Sequence, residues 1–211
     1  MILKILKAFL DFFFPPLCFG CLKITNNENL CFSCLQKIFS QPIIVNKKIK
    51  IYALGYFNIP FNNLIYEFKY HHRLFLKEIF AKALSNIIIN DYYLKNCDYL
   101  VPVPLHKAKI RERGYNQSEI LAKEISKIVN KDVLNCLIRK KNTKSQTKLK
   151  GEKRIENVKN AFIFDNRYNI KDKRIILIDD VMTTGATLES CAEVLLENNA
   201  KEVFGLVIAV G

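Results

Sequence analysis

Hydrophobic positions fall in blocks whose period changes along the chain, and those changes set out the fold. The clearest block is residues 175–188, which read IILIDDVMTTGATL. Four consecutive apolar residues, mostly β-branched, predict a strand buried on both faces. Two carboxylates end the run, and threonines, glycine and alanine follow at once. The period then becomes helical, because Leu188, Cys191, Ala192 and Leu195 share one face. The predicted unit is strand, tight loop, helix.

The same alternation recurs elsewhere. Residues 51–57 and 99–103 have strand character, and Pro102 and Pro104 force an extended exit from the second. Residues 133–138, 161–164, 174–180 and 202–210 predict further strands. Residues 61–89 predict one or two helices, and residues 42–50 read as a linker. Leu121, Ile125, Ile128 and Val129 make the apolar face of another helix, whose start is marked by Asn116 with Glu119 three residues later. Before it the chain reads as a basic loop carrying His106, Lys107, Lys109, Arg111 and Arg113. Strands alternating with helices predict an α/β fold with a mainly parallel sheet flanked by helices. Ligands of such sheets bind at the carboxyl ends of the strands.

The amino-terminal stretch MILKILKAFLDFFF has the look of an export signal. Lys4, Lys7 and Asp11 interrupt it, and Leu17 before Cys18 is not the small residue of a cleavage site. No run reaches the roughly 18 residues needed to cross a bilayer. The stretch reads as an amphipathic helix, with peripheral membrane contact left open, and the expected location is the cytoplasm.

Cysteines add a second module. Cys18-Phe-Gly-Cys21 and Cys31-Phe-Ser-Cys34 are two C-x-x-C pairs with nine residues between them. Two such pairs supply the four thiolates of a tetrahedral structural zinc site, and Gly20 frees the backbone to fold round the metal. A redox dithiol needs only one pair and a βαβ setting that this segment lacks. Cys97, Cys136 and Cys191 lie in or beside apolar segments and read as buried thiols in a reducing compartment. The chain of 211 residues therefore divides into residues 1–42, a helix and small N-terminal four-cysteine zinc-binding segment, and residues 50–211, the α/β domain.

Chemistry concentrates after the strand at 174–180. Amides at a helix start have no intrahelical partner and carry partial positive charge, so an exposed loop there cradles phosphate. Thr183, Thr184 and Thr187 add hydroxyls, while Gly185 and Ala186 permit close backbone approach. Asp179 and Asp180 can accept hydrogen bonds from paired sugar hydroxyls or hold hydrated magnesium. A ribose 5-phosphate satisfies both halves. No strand is followed by G-x-G-x-x-G, and the loop lacks the Gly-Lys-Thr of a P-loop ATPase.

Charge changes the picture only in part. Lys and Arg number 33 against 20 acids, a net +13, which suits a polyanionic partner. Composition does not choose among nucleic acid, acidic membrane and phosphorylated substrate. Residues 139–154 hold eight Lys or Arg and one acid, Glu152. They read as a mobile basic loop that closes over pyrophosphate or tracks a nucleic-acid backbone.

Taken in order, these motifs resemble the ComF family of competence-associated proteins, with the type I phosphoribosyltransferase fold. The resemblance is carried by the four-cysteine cluster, Val101-Pro102-Val103-Pro104, Arg113-Gly114-Tyr115-Asn116-Gln117, Arg139, Thr143, Gln146, Arg154, Asn157-Val158, Ala161-Phe162 and the 175–188 signature. It implies that phosphoribosyl pyrophosphate (PRPP) is the ligand, with magnesium. Asp179, Asp180 and residues 183–187 would take the ribose phosphate, and Arg111, Arg113, Asn116 and Gln117 the pyrophosphate. Arg139, Thr143, Gln146 and Arg154 would belong to the covering loop, and Lys69-Tyr70 matches a Lys-Tyr or Lys-Phe of the family. The family also implies a part in handling incoming single-stranded DNA during natural transformation, with DNA-uptake proteins as partners. No residue reads as a general base for an incoming nucleophile. Three readings therefore stay open: an active phosphoribosyltransferase, a binding module without turnover, and an enzyme of nucleobase salvage.

Overall fold

The computed structural model describes residues 15–26, 28–71, 73, 75–140 and 161–211, without the side chain of Arg113. The expected helix at 1–14, His72, and Thr143, Gln146 and Arg154 of the basic loop lie outside the described residues. In chain order the elements are α1 (Phe32–Ile38), β1 (Ile43–Asn46), β2 (Lys50–Tyr56), α2 (Phe61–Tyr70), α3 (Phe75–Asn90) and α4 (Tyr92–Lys95). Then come β3 (Tyr99–Pro102), α5 (Lys107–Arg113), α6 (Gln117–Val129), β4 (Asp132–Val133) and β5 (Leu137–Arg139). The chain ends with β6 (Phe162–Phe164), β7 (Arg174–Met182), α7 (Ala186–Glu197) and β8 (Glu202–Val210).

Among the described residues the main sheet has six strands in the order β1-β2-β8-β7-β3-β4. All neighbours run parallel except the β1/β2 edge pair. β7 lies inside it, with Ile178 beside Pro102 of β3 and Leu206 of β8. The pleat sends alternate residues of β7 to opposite cores. Ile176 and Ile178 pack with α2, α3 and α6, while Ile175 and Leu177 pack with α7 and the small β5/β6 sheet. All four are 0% exposed, each worth about 1.5–3 kcal/mol of apolar burial. That two-sided burial is why the run is continuously apolar rather than alternating.

Three expectations need correction. Residues 42–50 are not a linker: Ile43 and Val45 turn inward, Ile44 and Asn46 outward, and β1 pairs with β2 from Ile43↔Ala53 to Asn46↔Lys50. The stretch 133–138 is not one strand but two ends of separate sheets, β4 beside β3 and β5 against β6. The basic loop after β3 is largely helical. In α5 the His106 Nδ1 accepts the Ala108 N–H at 3.2 Å, and Gly114 closes the helix with φ +82°. Of the apolar face expected for α6, Ile128 is exposed, whereas Leu121 and Ile125 are buried as expected.

The four-cysteine segment packs on α2 and α3. Asn63 Nδ2 of α2 donates to the Gly20 carbonyl at 2.9 Å, and Phe19 stacks near Phe75 of α3 at 5.9 Å. A Cβ on Gly20 would stand 2.8 Å from Pro60 Cβ and 2.9 Å from Cys34 Sγ, so the close approach requires glycine. At the far side of α2 the Phe61 ring fills the space where a Gly55 Cβ would be, which seats the helix on β2.

Candidate functional site

β7 outlasts its predicted end at 180 and carries Asp179 and Asp180 into the sheet's carboxyl edge. By the pleat they leave on opposite faces. Asp180 Oδ2 meets Lys69 Nζ of α2 at 2.8 Å. Asp179 Oδ1 accepts from Ser118 Oγ of α6 at 2.9 Å and from the Asp180 N–H at 2.9 Å. Burial and the adjacent Asp180 charge push the Asp179 carboxyl up to about 7, against the pull of those hydrogen bonds and of Lys69. Asp179 is thus poised to ionise near neutrality.

The loop after the acids behaves as its composition predicts. Gly185 is the α7 N-cap at φ +88°, with no side-chain cap on the helix. Ala186 N–H leans only weakly on Thr184 Oγ1, at 3.4 Å. First-turn amides are therefore left to a ligand. Asp179, residues 181–185, Thr187 and Leu188 bound a small cavity of about 30 Å³. On the α7 face, Leu188, Cys191, Ala192 and Leu195 are all buried, as their spacing predicts. Burial raises the Cys191 thiol well above its ordinary value, and Asp179 adds to it.

The β3–α5–α6 connection reaches the same edge. Asn116 is committed to holding it: Oδ1 accepts the Ser118 N–H at 3.2 Å and Nδ2 donates to the Val103 carbonyl at 3.1 Å. Tyr115 Oη donates to the Phe68 carbonyl of α2 at 2.7 Å, tying α2 to α6. Gln117 is buried at the first turn of α6, and Arg111 is exposed on α5. Arg113 ends that helix. Arg139 on β5 lays its guanidinium 5.3 Å from the Phe162 ring centre. Burial lowers its pKa while Cys191 and Asp179 raise it, so its charge acts on the acid pair from the α7 side.

Two partners of the acids were not legible as such. Ser118 lies beside the helix cap and had no distinguishing spacing, and Lys47 was placed in the supposed linker. Lys47 is exposed on the β1–β2 turn, yet a Cβ on Gly185 would stand 3.0 Å from its Cδ. A larger cavity, about 360 Å³ and lined by Ile38, Phe39, Tyr52, Ile87 and Asp91 among others, lies beside the amino-terminal half of β2. It has none of the phosphate or carboxylate chemistry found at the carboxyl edge.

Sγ atoms of Cys18, Cys21, Cys31 and Cys34 lie within 4.8 Å of one another, and Cys21 and Cys31 are 3.6 Å apart. Sulfurs at about 2.3 Å from a tetrahedral zinc stand about 3.8 Å apart, so the donor set fits such an ion. Burial alone would raise the Cys18 thiol, but the amides of Cys31, Cys21 and Gly20 outweigh it and draw it down to about 6. The cluster can hold a metal such as zinc. Cys97, Cys136 and Cys191 are buried free thiols, as expected.

Comparison with known proteins agrees with this geometry. A family model described as "Phosphoribosyl transferase domain" matches residues 110–210. The DNA utilization protein YhgH of Escherichia coli K12 is 31% identical over 201 residues, 89% of this chain and 81% of that protein. The chain belongs to the ComF family. Within the family, competence protein F of Haemophilus influenzae is 28% identical over 212 residues, covering 88% of this chain and 92% of that protein. Competence protein ComFC of Bacillus subtilis is 36% identical over 122 residues, 57% of this chain and 45% of that protein. The ComF match spans both the cysteine segment and the sheet. No helix among the described residues is long and apolar enough to cross a membrane.

Proposed function

We propose that the carboxyl edge of β7 binds PRPP, and that the chain serves the handling of incoming single-stranded DNA. The observation that carries the reading is the continuity of two features: an acid pair held by Ser118 and Lys69, and directly after it a helix start without a side-chain cap. Asp179 and Asp180 accept the ribose hydroxyls. The amides and hydroxyls of residues 183–187 receive the 5-phosphate. Arg111, Arg113, Gln117 and Arg139 take the pyrophosphate side, with Thr143, Gln146 and Arg154 in the covering loop, and Asn116 positions the connection that presents them. Magnesium bound with PRPP would supply countercharge to the pyrophosphate oxygens.

If the C1 bond breaks, charge builds on the sugar ring and on the departing pyrophosphate. The residues present are suited to that electrostatic task, with Arg111, Arg113 and Arg139 on one side and two carboxylates on the other. Pyrophosphate release from PRPP and Mg²⁺ with candidate bases separates an enzyme from a binding module. Release above background supports turnover, and none with any base, while binding persists, leaves a sensor or carrier.

Structural zinc in the four-cysteine cluster belongs to the same reading, as does the DNA role, which rests on the competence and DNA-utilization names of the relatives and on the net charge of +13. Single-strand affinity should fall steeply with salt if phosphate contacts carry it. Absent or salt-insensitive binding removes the DNA part and leaves the PRPP part standing.

A further inference from the structure

We infer that Lys47, on the turn between β1 and β2, binds the phosphate held by residues 183–187; the inference rests on the ribose-phosphate reading above. The turn folds across the amino-terminal half of α7. Lys48 Nζ is anchored 2.6 Å from Glu193 Oε1, Ile49 is buried in the core that α7 shares, and the Lys47 N–H donates to the Ile49 carbonyl at 3.1 Å.

From that fixed turn the Lys47 side chain runs over Gly185. An added Cβ at Gly185 would lie 3.0 Å from Lys47 Cδ and 3.5 Å from its Cε, the atom that bears the ammonium. The positive charge therefore ends beside the N-cap of α7, on the outer side of the loop. Among the described residues Lys47 makes no ion pair. Of the acids on the adjoining face of α7, Glu193 is taken by Lys48, and Glu189 also acts on Lys48.

The loop needs such a charge. Its cavity of about 30 Å³ has room for about one water. A phosphate group must then sit in the mouth, with amides beneath it and its outer oxygens toward solvent. Helix-end amides carry only about half a positive charge, whereas the phosphate is a dianion. Lys47 supplies a full point charge on the side the amides do not reach. Gly185 thus has two reasons to be glycine: its φ of +88° and the lysine stem lying across it.

Titration calorimetry of the full chain with ribose 5-phosphate tests this, using wild type, Lys47→Met, Lys47→Arg and Lys48→Met, with melting curves to verify that each is folded. Lys47→Met should weaken affinity about tenfold, the scale of losing one charge-assisted contact at a partly exposed site. Lys47→Arg should largely restore it, and Lys48→Met should leave it near wild type. Equal affinity in wild type and Lys47→Met overturns the inference while the ribose-phosphate reading stands, as does an equal loss in Lys48→Met, which would mark a general surface-charge effect. Failure of wild type to bind ribose 5-phosphate overturns the underlying reading itself, and this inference with it.

Discussion

Lys69 Nζ lies 2.8 Å from Asp180 Oδ2, with the two side chains only 17% and 13% exposed. One acid of the pair is thus already neutralised from α2, the helix on which the cysteine segment rests. Replacing Lys69 by Met leaves Asp180 largely buried beside Asp179 without its cation. Loss of a partner at such a semi-buried site should cost about 1–3 kcal/mol, below the figure for a fully buried pair because water still reaches it. Chemical denaturation of Lys69→Met should show that loss, and added Mg²⁺ should stabilise the variant more than the wild type. An unchanged midpoint would mean that the contact contributes nothing.

Asp179 makes stability depend on pH. Its carboxyl is raised to about 7 by burial and by Asp180, whereas an unfolded aspartate titrates near 4. The folded state therefore holds the proton more tightly than the unfolded one. The stability this gives is fully present below about pH 4 and is lost as pH rises through about 7. Melting curves between pH 5 and 8 should fall in wild type and flatten in Asp179→Asn, which should be the more stable protein at pH 8. A ligand that needs the ionised carboxylate should bind more tightly across the same window and release a proton, visible as buffer-dependent binding heat. A wild-type profile identical to that of Asp179→Asn would contradict the assignment.

Metal removal should be felt at the acid pair as well as in the cysteine segment. The path is short: Cys34 Sγ lies against Gly20, whose carbonyl holds Asn63 of α2, and α2 carries Lys69. Elemental analysis should find one zinc per chain. Chelation or Cys31→Ser should lower the melting temperature, and zinc should restore the chelated protein. Ribose-phosphate affinity should fall with it. A metal-free protein with an unaltered melting curve would refute the structural role.

Gly185→Ala isolates the loop. An L residue held at φ +88° is strained by about 1–2 kcal/mol, and its Cβ would also press on Lys47 Cδ at 3.0 Å. The variant should remain folded with a modest loss of stability, while its affinity for ribose 5-phosphate falls further than stability does. Equal affinity would mean that the loop conformation is not what receives the phosphate.

How much of this was legible in the chain varied with the range of the forces involved. β7 and its loop could be read because their signal is local: residues 175–178 are buried on both faces, and the change of period at Leu188 is a property of consecutive residues. The cysteine cluster could be read because two thiolates per knuckle is a spacing rule. Helix α5 could not, because its basic surface resembles a loop and the His106 cap and Gly114 stop are weak signals. β1 was hidden because a short edge strand needs only Ile43 and Val45 facing inward. With it went Lys47, whose meaning depends on a turn folding across α7, 138 residues away at Gly185 (185 − 47). Lys69 was visible only as a family match, since nothing local announces a contact with Asp180.

The most direct test of the central claim is the melting temperature of the zinc-loaded full chain at pH 8 with PRPP and Mg²⁺, beside Asp179→Ala and Asp180→Ala. At a hundredfold excess over Kd the ligand should stabilise wild type by about 2.7 kcal/mol, or about 5–10 °C for a domain of this size. The two variants should show a much smaller shift at the same concentration. A wild-type melting curve left in place by saturating PRPP, in a protein whose circular dichroism and zinc content are intact, would contradict the account.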